Sequence, residues 1–149
     1  MTWAIRKAVQ ADLPGIVALA AAGYVECKLP GEFSPAAYQH WWDSAMGIGF
    51  ASIYLLEVET GLTGFLAAVY SADMFTGRRM MSVAQWYVTP IHRGYGPKLF
   101  EAAMNEARQR GVEVVATGVL LNEVAKRLPR FYRARGFRLQ ELTYIKELR

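Results

Sequence analysis

Along this chain the spacing of apolar positions changes period several times, and each change marks an element. Trp3–Ala8 alternates with the two-residue period of a short strand. From Leu13 to Ala20 apolar residues crowd together behind Asp12, with Pro14 at the front of the run. Asp suits an N-cap because its carboxylate accepts the N–H groups that a first helical turn leaves unpaired, and Pro is tolerated there because it has no N–H to lose. The pattern predicts a helix from about Asp12 to about Ala22, then an irregular stretch over Gly23–Glu32. Ser34-Pro35 opens a second helix bearing Tyr38, Trp41, Trp42 and Met46, which Gly47-Ile48-Gly49 closes.

The period then shortens. Ser52–Glu59 and Leu62–Tyr70 are β-rich runs around the turn residues Thr60-Gly61, which predicts a hairpin. A third run, Met80–Val88, follows Thr76-Gly77-Arg78-Arg79 and extends the hairpin to an antiparallel meander. Pro90–Gly96 is a loop rich in turn residues. From Pro97 the apolar residues Leu99, Phe100, Ala103, Met104 and Ala107 share one helical face, and Gly111 stops the helix. Val112–Thr117 is a fifth strand, Asn122–Arg135 is helical around Pro129, and Phe137–Lys146 alternates as a last strand. The predicted order is β-α-α-β-β-β-α-β-α-β, an α/β fold with a mixed sheet. An antiparallel meander joins a parallel pair, and helices cover both faces.

Composition narrows the class. A length of 149 residues, 53% apolar and 20% charged, suits one domain over 1–149 with one core and argues against disorder. The net charge of +4 fits an anionic partner, with nucleotide phosphates and nucleic acid as two options, or simply a basic protein. Cys27 is the one cysteine, so no internal disulfide and no cysteine-rich metal site is expected, and His40 and His92 lack ligand spacing. The N-terminus lacks a signal-peptide pattern, and no apolar run reaches membrane-spanning length. The expected location is cytoplasmic.

One segment carries chemistry. Val88-Thr89-Pro90-Ile91-His92-Arg93-Gly94-Tyr95-Gly96-Pro97-Lys98-Leu99 joins a strand to a helix through a glycine-bearing turn. Successive N–H groups in such a turn face one concavity, and the helix dipole adds positive potential, so a phosphate can bind without a charged side chain. Gly94 and Gly96 have no Cβ to obstruct a close approach. Arg93 and Lys98 would add charge. The bland alternative is a plain strand-to-helix turn.

With its flanks, this segment resembles the pyrophosphate loop of the GNAT N-acetyltransferase superfamily. Arg93 and Gly96 match the family's Arg/Gln and Gly, Val88-x-Pro90 precedes them, and Phe131-Tyr132-Arg133-Ala134-Arg135-Gly136-Phe137 resembles its end-of-helix signature. The hairpin with Gly64-Phe65 and the closing Thr143–Leu148 fit as well, and the closing stretch is similar to small acetyltransferase-like proteins of phages and prophages. Lys98 stands where the family has Gly or Ala, and Pro97 removes one N–H from the cradle.

The resemblance implies an acetyl-CoA-dependent acyltransferase acting on an amine, small-molecule or protein, by direct attack in a ternary complex. Backbone groups of Trp86, Tyr87 and Val88 would hold the pantetheine arm as an added strand, and amides of Arg93, Gly94, Tyr95, Gly96 and Lys98 the pyrophosphate; Asn122 belongs to the same cofactor set. Tyr132 matches the family's general acid, with a core tyrosine as the alternative. The fourth strand carries no acid for a base, which leaves Glu26, Glu32, Glu57, Glu59 and Asp73 open. Tyr24, Phe33, Tyr38, His40, Trp41 and Trp42 would wall the acceptor side. A base modifier of nucleic acid on the same fold and a non-catalytic CoA binder are the competing readings. A homodimer is compatible with the sequence, and neither a metal nor a membrane partner is expected.

Overall fold

The computed structural model describes residues 2–148. Two compact units make up the chain, Met1–Gly118 and Val119–Arg149. The first holds β1 (Trp3–Lys7), α1 (Leu13–Glu26), α2 (Pro35–Gly47), β2 (Ala51–Val58), β3 (Gly61–Ala72), β4 (Arg79–Val88), α3 (Gly96–Gln109) and β5 (Val114–Thr117). The second holds α4 (Leu128–Ala134).

The sheet runs β1-β2-β3-β4-β5. Its first four strands are antiparallel neighbours and β4–β5 is parallel, as the meander followed by an αβ unit predicts. Period-two alternation sorts its residues between two layers. Ile53, Leu55, Phe65, Ala67 and Tyr87 pack with Leu13, Ile16, Leu19 and Ala20 of α1 and Trp42 and Ala45 of α2. On the other face Trp86 stacks 5.5 Å from Phe100 of α3, and the Tyr54 hydroxyl donates to Glu106 of α3. Leu99, Phe100, Ala103 and Ala107 are buried, the stripe read from their spacing.

Several boundaries differ from the sequence reading. Asp12 does not cap α1 with its side chain. Its carboxylate accepts instead from the Val9 N–H at 2.9 Å and pairs with Arg6 at 2.8 Å, tying β1 to a 3-10 turn over Gln10–Asp12. The Arg6 hydrogen bond overrides the opposing effect of burial and holds the Asp12 carboxyl at about 2. Helix α1 runs through Gly23 to Glu26, because a Cβ at Gly23 would meet the Tyr87 ring at 2.9 Å and the missing side chain lets α1 lie close on β4.

Helix α4 starts at Leu128 rather than Asn122, after turns over 121–127. Pro129 sits in its first turn, where its missing N–H is harmless; further into a helix it would break the ladder. Residues 137–148 form no strand among the described residues, and Leu139, Tyr144, Ile145 and Leu148 are exposed. Alternation suits a residue run to a pleated surface but supplies no ladder partner, and without one no strand is made.

Gly64 lies opposite Val88 in the β3–β4 ladder, and a Cβ there would meet Val88 Cγ2 at 2.9 Å and the Tyr87 carbonyl oxygen at 3.1 Å. Backbone cannot yield as a side-chain tip can. Gly64→Ala is therefore expected to cost about 1–3 kcal/mol in urea unfolding, the usual penalty of overpacking; an unchanged midpoint would show that β3 and β4 separate freely at this point.

Candidate active site at the end of the fourth strand

Strand β4 has two unlike halves. Met80–Val83 pairs with Val114–Thr117, but β5 ends at Thr117 while β4 runs on to Val88. The register against β3 slips at the same place: Ala67 faces Gln85 and Ala68 faces Val83, so Ala84 is the extra residue of a β-bulge. A bulge adds twist and re-aims the residues beyond it. The strands thus part just where β4 bends.

The backbone of that second half can be oriented from its hydrogen bonds. Thr89 N–H donates to the Thr63 carbonyl of the β3 side at 2.8 Å. Because strand groups alternate in direction, the groups of Val88 face the opposite edge, where β5 has stopped. The Val88 carbonyl there accepts from Arg93 Nε at 3.2 Å.

Arg93 lies in the segment read as a loop, Pro90–Gly96. It is a 3-10 turn over Pro90–Tyr95 that feeds into α3 at Gly96. Pro90 opens it with φ already set. His92 N–H donates to the Thr89 carbonyl, and the Thr89 hydroxyl lies 2.9 Å from His92 Nδ1. The Gly96 N–H is taken by the Arg93 carbonyl and Pro97 has none to offer, so the donors at this helix start are fewer than an open glycine loop would present. The helix end itself still carries positive potential.

The two cations expected to add charge are engaged elsewhere. Arg93 forms an ion pair with Glu26 at the end of α1. Lys98 Nζ sits 5.4 Å over the Trp3 ring. Glu26 also accepts from the Tyr87 hydroxyl at 3.1 Å. Burial, and then that bond to Glu26, raise the Tyr87 phenol above its ordinary value. Glu26, Tyr87 and Arg93 therefore join α1, β4 and the turn through one carboxylate. Their spacing in sequence gives no hint of it; only the close approach of α1 at Gly23 brings them together.

Gly94 is exposed, its φ is not in the left-handed region, and a Cβ there would meet nothing within 4 Å. Neither backbone conformation nor packing within the chain calls for glycine at this position. A Cβ at Gly96 would touch Trp86 at 3.4 Å, an ordinary contact. Open space over Gly94 beside a helix N-terminus suits a ligand with a phosphate group. Tyr95 is half-buried and stacks 5.3 Å from Trp3.

The other expected residues fall as follows. Tyr38 reaches from α2 to Gln85, next to the bulge, at 2.6 Å, and burial holds its phenol well above the usual range. Neither Gln85 nor this bond was legible in the sequence. Tyr24, Phe33, Tyr38, Trp42 and Trp41 form a continuous chain of ring contacts. Among the acids open as a base, Glu57 pairs with Arg6, Glu59 accepts from Thr2, and Asp73 caps its own turn through the Phe75 and Thr76 N–H groups. Glu26 is the acid of that group at the end of β4. In the second unit Tyr132 is buried between the rings of Phe131 and Phe137, and Asn122 Oδ1 accepts from the Ala125 N–H at 3.0 Å. Among the described residues no group of three or more His, Cys, Asp or Glu could hold a metal ion, and no helix is long and apolar enough to cross a membrane.

The comparisons with known proteins point one way. The model of the acetyltransferase (GNAT) family matches residues 15–137. A predicted acetyltransferase from Clostridium acetobutylicum, solved with acetyl-CoA, superposes with a TM-score of 0.81 at 14% identity, over 99% of this chain and 97% of that one. A ribosomal-protein-alanine N-acetyltransferase from Brucella melitensis biovar Abortus 2308 gives 0.75 at 17% identity, over 99% and 100%. Glucosamine-6-phosphate N-acetyltransferase from Arabidopsis thaliana gives 0.76 at 17%, over the whole of both chains. These identities establish a shared fold. No curated protein matches the chain by sequence.

Glu26→Ala should leave the buried Tyr87 hydroxyl without its acceptor and Arg93 without its counter-charge, at a cost of about 1–3 kcal/mol. Tyr87→Phe removes the donor as well, so the double variant should lose less than the sum of the two. Additive losses in urea unfolding would mean that the three side chains do not act as a unit.

Proposed function

The chain belongs to the acetyltransferase (GNAT) family, and we propose that it is an acetyl-CoA-dependent N-acyltransferase that moves an acetyl group to the amine of a small molecule or protein. The observation that carries this reading is the parting of β4 from β5 beyond Val83, directly ahead of a turn that delivers a helix N-terminus. That geometry offers an extended backbone edge beside an anion site. In relatives of known structure the same fold occurs with acetyl-CoA and with acetyltransferases named for amine acceptors.

Acetyl-CoA when bound would supply an activated acyl thioester. The residues of this chain would do the rest. Backbone groups of Trp86 and Val88, which face away from β3, would hold the pantetheine arm by strand addition, which needs no particular side chain; those of Tyr87, expected in the same role, are turned toward β3 by the alternation that aims Thr89 there. The start of α3 and the turn before it, Arg93, Gly94, Tyr95, Gly96 and Lys98, would receive the pyrophosphate on backbone dipoles, with Asn122 completing the cofactor set. The N–H of Val88 would stabilise negative charge on the carbonyl oxygen under attack. Holding both reactants in one complex supplies much of the rate. Tyr132 Oη, by its match to the family signature, would give its proton to the departing thiolate; a phenol is protonated near neutral pH and suits the task.

Calorimetry with acetyl-CoA tests the reading, with micromolar binding expected. Gly94→Val should weaken that binding at least tenfold and leave the unfolding midpoint unchanged, because its side chain enters empty space in the protein alone. Binding unaltered by the valine would mean that the turn is not the phosphate site, and no binding by the folded wild type would end the acyltransfer reading.

Tyr132→Phe should lower kcat by a factor of roughly 100 or more, the range of general acid catalysis, with acetyl-CoA affinity little changed. An unaltered kcat would remove Tyr132 from the mechanism.

A further inference from the structure

The charge of this protein is unevenly shared. The first unit carries nine Lys and Arg against ten Asp and Glu, while the second carries eight against three, so the whole positive excess lies after Gly118. Most of it is concentrated between residues 126 and 138, where Lys126, Arg127, Arg130, Arg133, Arg135 and Arg138 stand with no acidic residue among them. All six are exposed.

Four of the nine cations of the first unit are held in ion pairs: Arg6 by Asp12 and Glu57, Lys7 and Arg110 by Glu106, and Arg93 by Glu26. In the second unit Lys126 pairs with Glu123, but Arg127, Arg130, Arg133 and Arg138 form no ion pair among the described residues. Like charges gathered in this way repel one another, and an anionic partner would relieve that repulsion. Arg130 and Arg133 lie on neighbouring turns of α4, about 4.5 Å apart along its axis, and Arg127 is the residue before its first turn. An open cleft of about 630 Å³ lies on this helix, lined by Lys126, Arg127, Arg130, Phe131 and Ala134.

We propose that this arginine strip is a docking surface for single-stranded nucleic acid. Three features select that occupant. A cluster of cations with no acid among them answers a run of phosphates, and five of the six cations are Arg, whose planar fork binds phosphate oxygens in pairs. An aromatic ring sits among the charges: Arg135 lies 3.6 Å over the Phe131 ring, a stacked pair of the type that receives unpaired bases. Between the cations Leu128, Pro129 and Phe131 are half-buried, so the strip itself offers little apolar surface to a membrane. The inference goes beyond acyl transfer and does not depend on it.

The test is fluorescence anisotropy of the full chain with a labelled single-stranded RNA, and its DNA counterpart, of about sixteen nucleotides, over a range of salt concentrations. Micromolar binding at low salt is expected, with affinity falling steeply as salt rises. Replacing Arg127, Arg130 and Arg133 together by Gln should weaken binding more than tenfold and reduce the salt slope by about 2, since each single-strand phosphate contact contributes about 0.7. The matching triple Lys variant should retain salt-dependent binding, and it decides the matter if the Gln variant is unstable. Arg78→Gln with Arg79→Gln, in the first unit, should change nothing.

Absence of binding at low salt overturns the proposal. So does full displacement of the RNA by saturating acetyl-CoA, which would assign the strip to the cofactor's phosphates. Binding to phosphatidylserine vesicles without binding to the oligonucleotides would overturn it in favour of a membrane. Acetyl-CoA calorimetry on the same wild-type protein reads the acyltransfer proposal separately, so either can fail alone.

Discussion

A strand that outlasts its neighbour carries main-chain hydrogen-bonding groups past the end of the ladder, and much of the candidate site can be traced to that constraint. Buried backbone groups are costly to leave unpaired. Beyond Val83, β4 keeps β3 on one side and loses β5 on the other. The bulge at Ala84 turns the strand at the same point, so β4 bends where its ladder with β5 ends. The protein meets part of the demand from within, by folding the Arg93 guanidinium back onto the Val88 carbonyl. Glu26 then neutralises the arginine and accepts from Tyr87, whose ring lies against α1. The end of one ladder thus draws together a carboxylate, a phenol and a guanidinium from three distant parts of the chain.

The opposite face supplies the rigidity this arrangement needs. Helix α3 must hold its first turn under Trp86, and it is anchored at its far end by Glu106, which meets Lys7, Tyr54 and Arg110. Burial opposes the charge on Glu106, but the bonds from Lys7, Tyr54 and Arg110 outweigh it and hold the carboxyl below its usual value. The apolar stripe gives α3 its affinity for the sheet; this network fixes its position along it. A helix free to slide by one turn would carry Gly96 away from the end of β4, because the turn between them is only six residues long.

Sequence patterning made the first unit legible to a large degree, for a physical reason. Strand and helix periods are local, and burial on two faces of a sheet imposes them strongly: the meander, the parallel pair and the stripe of α3 all follow. Where reading failed, a partner outside the local window decided the outcome. Asp12 has the composition of a cap, but Arg6 competes for its carboxylate and wins. Phe137–Lys146 has the alternation of a strand and makes no ladder. The motif around Arg93 located the turn correctly while leaving the arginine's own partner, Glu26, unseen, since residues 26 and 93 meet only once α1 is packed. Gln85 carried no motif at all, and gains its interest from lying beside the bulge within reach of Tyr38.

The electrostatics of the two candidate surfaces differ in kind. At the end of β4 the side-chain charge is already balanced, Arg93 by Glu26, while Lys98 rests on Trp3. An anion there meets backbone dipoles, fixed in direction and short in range, and its binding depends mainly on fit. Along residues 126–138 the charge is carried by long exposed side chains, four of them without ion-pair partners among the described residues, and attraction there is long-ranged and screened by salt. A small nucleotide-bearing group carries too few phosphates to balance the six cations gathered between residues 126 and 138. Their concentration after Gly118, against a nearly neutral first unit, is more simply understood as recognition of something larger than the group the turn at Gly94 can hold.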